Sequence, residues 1–289
     1  MDPRFDTITF LSDYGTADEF VGVVHSVIRS IAPHVTVVDL THQIPAYDVR
    51  AGSLTLGRAA QYLCPGVVLA VVDPGVGTPR RGVAIEVGGG QSYLVGPDNG
   101  LLASAVAMCG GATAVVELAN PDYQLPAPGP TFAGRDIFAP AAAHLCMGLP
   151  LAELGPPVDP LSLLPGLLPL TRDEDGVLVA EVLWVDRFGN CQLNVDPDEV
   201  AEFGPRIQMR WGDDVRTATR TPTYEGIDAG QVGLVVDSYG MLSVCLGRRS
   251  AAAELGLHVG SEVTLQPPSD DDVPAVVAQS VTLTPRSSP

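Results

Sequence analysis

Asp73 and Arg80 stand seven residues apart across the turn PGVGTP, directly after the apolar run VVLAVV. A β-branched run of this kind reads as a strand buried on both faces, and its terminal carboxylate then lies at the sheet's carboxyl edge, where open α/β sheets place ligands. Across a glycine-containing turn, a carboxylate and a guanidinium can hold one small polar molecule, such as water, between an acceptor and a donor. The spacing is equally compatible with an aspartate that caps the loop and an arginine in solvent. A second passage, ITFLSDYGTADEF, repeats the pattern: Ile8 and Phe10 lead into Ser12, Asp13, Gly15 and Asp18, before a helix from about residue 19. Two acidic strand ends on one parallel sheet make a negative pocket, suited to a ligand with hydroxyls and positive charge. A third segment, GPTFAGRDIFAPAAAHL, sets Phe132 and small residues ahead of a helix whose face includes Ile137, Phe138 and Leu145.

The elements that must position these groups form two patterns. Strands at 7–13, 35–40, 67–73, 82–87 and 113–118 alternate with helical stretches near 19–31, 48–63, 100–108 and 135–147, which predicts an α/β domain with a mostly parallel central sheet over residues 1–165. The proline-rich stretch LGPPVDPLSLLPGLLPL leads into a linker at 166–175. Residues 176–289 then read as a smaller all-β, barrel-like domain with short strands in GVLVAEVLWVDRFGNCQLNV, RIQMRW, QVGLVVDS and MLSVCLG, and a loosely ordered tail from PPSDDDVPAV onward.

Composition narrows the function classes. The 289 residues suggest about two domains, and 46% hydrophobic content with a mean hydropathy of +0.22 is ample for real cores. A net charge of −18 argues against a nucleic-acid partner, which needs clustered Lys and Arg. No stretch reads as a membrane span, and MDPRFDTITF lacks the pattern of a secretory signal, so a cytoplasmic location is expected. The cysteines at 64, 109, 146, 191 and 245 are odd in number and mostly in apolar surroundings, so buried free thiols are expected. The histidines at 25, 34, 42, 144 and 258 form no ligand-spaced pair, and no metal is expected. No phosphate-binding glycine motif is present, so a nucleoside ligand would be held by side chains.

Taken in order, FLSDYGTADEF, VVDPGVGTPRR, GPDNGLL, TFAGRDIFAP and DRFGN resemble the S-adenosylmethionine hydroxide adenosyltransferases, relatives of the fluorinase and chlorinase enzymes. The resemblance runs from about Ile8 to about Gly256. It implies attack of water on the ribose 5′ carbon of S-adenosylmethionine, releasing methionine and adenosine, with no cofactor. It also implies a homotrimer whose pockets combine the N-terminal domain of one subunit with the C-terminal domain of the next.

Residue by residue, the resemblance gives Asp13 the ribose hydroxyls, a pairing that suits a carboxylate able to accept two hydrogen bonds. Asp18 corresponds to a residue near the methionine amino group, with an N-cap as its alternative. Tyr47 corresponds to an aromatic that lines the substrate, where its ring suits a sulfonium; simple packing is the alternative. In DRFGN, Phe188 and Asn190 correspond to a stacking aromatic and an amide that reads adenine, and Asp186 to a further polar contact. Tyr224 corresponds to a second aromatic over the base. For Phe188 and Tyr224 the alternative is an ordinary core aromatic. Ser238 corresponds to a contact to the methionine carboxylate, but the halogenating relatives have an arginine where Tyr239 follows here.

The nucleophile end carries the implied catalytic groups. Asp73 repels a halide, and with Arg80 it orients water; a carboxylate held by a guanidinium is a weak base, so orientation rather than proton removal is its expected part. Phe132 and Gly134 line this end, Gly134 leaving room near the nucleophile. Ala133 stands where the hydrolases of the family usually have histidine, which marks it as an active-site substitution, engineered or natural. Two other readings follow from the same motifs: a chlorinase-like enzyme making 5′-chloro-5′-deoxyadenosine, and a non-catalytic binder of S-adenosylmethionine or adenosine.

Overall fold

A computed structural model describes residues 3–268; the tail expected to be loosely ordered lies outside the described residues from 269 onward. The chain divides into two compact units between Leu168 and Pro169.

The first unit is built from β1 (Thr7–Ser12), α1 (Phe20–Ile31), β2 (Thr36–Thr41), α2 (Val49–Ala59), β3 (Val67–Val71), β4 (Gly82–Val87), β5 (Ser92–Pro97), α3 (Ala103–Met108), β6 (Ala112–Glu117) and α4 (Ala139–Cys146). The sheet order is β2-β1-β3-β5-β4-β6. β1 pairs in parallel with β2 and β3, and β3 with β5, whereas β4 runs antiparallel to both of its neighbours. All five residues of β3 are buried, as its unbroken apolar run requires of a central strand covered on both faces. α1 buries Val24 and Ile28, one helical turn apart, and α2 begins where the Asp48 side chain accepts from the Ala51 amide at 2.8 Å. Phe10, Leu69 and Phe138 are fully buried in the main cluster, each contributing about 1.5–3 kcal/mol by burial.

Several boundaries differ from the sequence reading. α2 stops at Ala59 and tightens into a 3-10 turn at Ala60–Tyr62, and α3 begins only at Ala103. The helix read from 135 opens as a π turn over Gly134–Phe138 before α4, whose Pro140 fits a first turn that needs no amide donor. β5 was not expected at all: only Tyr93–Val95 are apolar between three glycines and Gly96-Pro97, yet it occupies a central place in the sheet.

The second unit comprises β7 (Arg172–Glu174), β8 (Val177–Val185), β9 (Cys191–Leu193), β10 (Arg206–Trp211), β11 (Asp214–Arg220), β12 (Val232–Val236), β13 (Leu242–Leu246), α5 (Ala251–Leu255) and β14 (Glu262–Gln266). Pairing of β14 with both β10 and β8 closes a seven-stranded barrel, β8 to β14, around its own apolar core. β7 forms a hairpin with β8, so the last part of the expected linker is strand. β11 escaped the sequence reading because DVRTATR carries almost no apolar alternation; only Ala218 is fully buried. Of the thiols, Cys146, Cys191 and Cys245 are buried, but Cys64 is exposed and Cys109 half-buried, correcting the expectation for those two.

Candidate functional site

The parallel strands β1, β2, β3 and β5 end at one edge of the first sheet, and β4, running the other way, begins there. Asp13 follows β1, His42 follows β2, Asp73 follows β3, and Arg80 and Arg81 precede β4. The Asp13 amide donates to the Val71 carbonyl at 3.4 Å, tying the first two acidic strand ends together.

Arg80 is not a solvent-facing arginine. Its Nε donates to Asp73 Oδ1 at 2.7 Å and its Nη2 donates to Asp73 Oδ2, a two-point pair whose side chains are only 15% and 5% exposed. The guanidinium also lies 5.1 Å from the Phe138 ring centroid, which fixes its plane from one face. The neighbouring Arg81 is committed elsewhere, to Asp98 through Nε at 3.0 Å and to the Ser162 carbonyl at 2.8 Å. Between the two arginines, only Arg80 stands at the strand-end carboxylate that the turn presents.

Asp13 faces a strained loop. Tyr47 has φ of 68°, a left-handed conformation costly for a residue with a side chain, and in it the Tyr47 amide donates to Asp13 Oδ2 at 2.9 Å. A carboxylate has about four acceptor positions, so this bond leaves capacity for a diol. The Tyr47 ring is 74% exposed and does not pack, which removes the packing alternative. Asp18 is exposed and joins none of these groups by a described bond; the N-cap of α1 is Glu19, without a side-chain cap, so the capping alternative for Asp18 fails.

Phe132, Ala133 and Gly134 lead into the π turn. Phe132 makes edge contacts with Tyr14 at 5.7 Å and Phe20 at 5.0 Å, and the Arg135 guanidinium lies 5.1 Å from its centroid. Ala133 is buried within the apolar cluster. Gly134 is the close approach: its backbone lies directly beneath the Tyr14 hydroxyl. Burial pushes the Tyr14 phenol up, and the carboxylates of Asp13, Asp73 and Asp136 add to the shift while Arg80 opposes it. Tyr14 therefore stays a neutral hydroxyl beside the Asp73–Arg80 pair.

In the second unit, Asp186, Phe188, Asn190, Tyr224 and Ser238 line one cavity of about 590 Å³. Asp186 builds the loop: its Oδ1 accepts from the amides of Phe188 and Asn190 and its Oδ2 from Asn190 Nδ2, each at 2.8 Å. Gly189 has φ of 82° and is pressed against Ser250, so the turn excludes a side chain. Phe188 is 77% and Tyr224 47% exposed. They are not core aromatics, and their faces are available for stacking. Burial, with Cys245, Asp186 and Asp237 contributing, also raises the Tyr224 phenol.

Sequence reasoning named Ser12 but missed Tyr14 and the place of His42 beside this site. Tyr14 lies within the quoted SDYG motif but was not singled out. Ser12 Oγ and His42 Nδ1 are 2.7 Å apart behind Asp13, and His42 joins His25 and Asp39 in a cluster that linear spacing hides.

Both units of the chain are similar to known proteins. Residues 8–155 match the SAM hydroxide adenosyltransferase N-terminal domain, and residues 180–264 the C-terminal domain. A protein of Salinispora tropica named (R)-S-adenosyl-L-methionine hydrolase is 43% identical over 256 residues, covering 89% of this chain and 96% of that protein. A fluorinase of Actinoplanes sp. is 30% identical over 290 residues, covering 89% and 96%. The crystal structure of an uncharacterized conserved protein from Thermotoga maritima superposes with a TM-score of 0.82 at 33% identity, over 90% of this chain and 99% of that one. With both domains matched in order and the acidic strand ends gathered at one sheet edge, the chain belongs to the SAM hydroxide adenosyltransferase family.

Proposed function

We propose that this protein hydrolyses S-adenosylmethionine to adenosine and L-methionine. The water oxygen forms a bond to the ribose 5′ carbon as the C5′–S bond breaks; the bonding pair leaves with sulfur, which becomes a neutral thioether, and the water proton passes to solvent. Because the leaving group is already good, the chain's task is alignment of water with the C–S bond and exclusion of other nucleophiles. No cofactor is required for this step.

The observation that carries the choice of water is the buried two-point pair of Asp73 and Arg80. It offers one acceptor and one donor to a neutral nucleophile, while the Asp73 charge disfavours a halide. The greater identity to hydrolases than to a fluorinase supports the same choice. Asp13 receives the ribose diol, Tyr47 lies along the sulfonium, Phe132 and Gly134 wall the nucleophile end, and Asp18 and Ser238 take the amino acid part. Phe188 and Tyr224 stack on adenine, Asn190 reads its edge, and Asp186 holds Asn190 in place. Support for these roles is the placement of the strand-end groups at one edge and of the aromatic groups around one cavity. The assembly proposed is a cytoplasmic homotrimer in which residues of two subunits serve one substrate. Among the described residues no helix is long and apolar enough to cross a membrane.

The test is incubation with S-adenosylmethionine, with and without chloride, and identification of the nucleoside. Adenosine alone in both is expected. Formation of 5′-chloro-5′-deoxyadenosine would favour the halide reading, and tight binding without turnover the non-catalytic binder.

A further inference from the structure

Behind the strand end that carries Asp13, α1 and β2 bring three groups together that no step of the proposed reaction uses. His25 Nε2 on α1 lies 2.8 Å from Asp39 Oδ1 on β2, and His42 Nε2, just past β2, lies 3.0 Å from the same oxygen. The three ligand atoms fall within 4.8 Å of one another. His42 is 6% exposed, and its Nε2 is buried without a partner in hydrogen-bonding geometry despite the nearby carboxylate. On the other side of the ring, Nδ1 is 2.7 Å from Ser12 Oγ. The Ser12 oxygen also accepts from the Tyr14 amide at 3.3 Å.

We propose that His25, Asp39 and His42 form a binding site for a divalent transition-metal ion of the zinc class. In the tautomer whose Nδ1–H donates to Ser12, the His42 Nε2 lone pair is unshared 3.0 Å from a carboxylate oxygen and directed to one side of it, and a cation on that side takes both acceptors. A ligating histidine whose other ring nitrogen is held by a hydrogen bond is the usual support of such a site. Two imidazoles and one carboxylate suit zinc, cobalt or nickel, whereas calcium and magnesium prefer oxygen alone. Ligands about 2.0–2.1 Å from a tetrahedral ion lie roughly 3.3 Å apart, so the present separations to Asp39 need open by only a few tenths of an ångström. His25 and Asp39 are 34% and 43% exposed at their side chains, leaving room for water to complete the shell.

Such an ion is structural, not a reactant. It pins α1 and β2 to the loop through which His42 and Ser12 support the segment bearing Asp13 and Tyr14; the Gly15 amide donates to the His42 carbonyl at 2.7 Å. The site stands independently of the hydrolase reading, since binding is read without substrate.

The experiment is calorimetric titration of chelator-stripped protein with ZnCl₂, repeated for His25→Ala, Asp39→Asn and Ser12→Ala, with His34→Ala as control. One site per chain is expected, weakened at least about tenfold by loss of either exposed ligand and about 10- to 100-fold by Ser12→Ala, with the control unchanged. His25→Ala and Asp39→Asn alter partly exposed side chains, and their metal-free melting temperatures check that the fold survives. Cobalt substitution should give visible ligand-field bands that both variants lose. Absence of a one-site isotherm, or one unchanged by both His25→Ala and Asp39→Asn, overturns the proposal.

Discussion

The Tyr14 hydroxyl fills the space that a side chain at position 134 would occupy: a Cβ built on Gly134 collides with Tyr14 Oη and lies 3.1 Å from its Cζ. Tyr14 cannot easily yield, because its ring is edge-on to both Phe10 and Phe132. Gly134→Ala should therefore destabilise the protein by about 1–3 kcal/mol through overpacking. Adding Tyr14→Phe, which removes the colliding oxygen, should restore part of that loss. Urea denaturation of the single and double variants measures both; a Gly134→Ala protein as stable as the parent would show that the contact relaxes freely.

Asp73 and Arg80 should behave as one unit. Removing either partner leaves a largely buried charge unpaired, at a cost of about 3–5 kcal/mol. The double variant Asp73→Ala, Arg80→Ala should lose less than the sum of the singles. A double-mutant cycle in urea reads the coupling, and strictly additive losses would show that the two are energetically independent. In calorimetry the single variants should still bind adenosine while turnover collapses, since the pair is assigned to water.

Ala133→His opposes stability to rate. Position 133 is 5% exposed inside an apolar cluster, so an imidazole there must displace its neighbours, costing about 1–3 kcal/mol. A positioned acid/base group contributes about 10²- to 10⁴-fold, so turnover should rise by that factor while the melting temperature falls. A stable variant with no rate gain would show that Asp73 and Arg80 suffice.

Burial pushes the thiols of Cys146, Cys191 and Cys245 up to about 12. Unfolded thiols titrate near about 8.5, so between the two values the folded protein holds protons that the unfolded chain has lost. Their contribution to stability is complete below about 8.5 and declines as pH rises toward 12. Iodoacetamide at pH 8 should label exposed Cys64 first and these three only on unfolding, which peptide mass mapping checks. Rapid labelling of all three in the native protein would contradict their burial.

What the sequence revealed depended on how locally each feature is built. Asp73 and Arg80 were legible because one turn brings them together. The barrel strands with apolar runs were legible, whereas polar β11 and short β5 draw their strand character from neighbours in the sheet. Phe188 and Tyr224 were ambiguous in sequence, because an aromatic's type does not say whether the loop or turn that bears it folds onto the core or over a cavity. The cluster of His25, Asp39 and His42 needed α1 laid against β2, and the contact of Ser12 with His42 needed the shift in the β1–β2 register between Phe10 and Leu11. No linear spacing encodes such meetings.

The reversed direction of β4 makes the Asp73–Arg80 pair portable. Had β4 run with its neighbours, its first residue would lie at the opposite edge, about 20 Å away for six residues, and Arg80 could not reach Asp73. Reversal instead confines both groups to a single short connection, while the Asp13–Tyr47 contact spans a helix and a strand. Both partners of the pair can thus be exchanged together with the one connection between β3 and β4, with the Asp13–Tyr47 contact left intact. The ion pair at this sheet edge and the loop contact beside it are, in this scaffold, separable by a cut of fewer than a dozen residues.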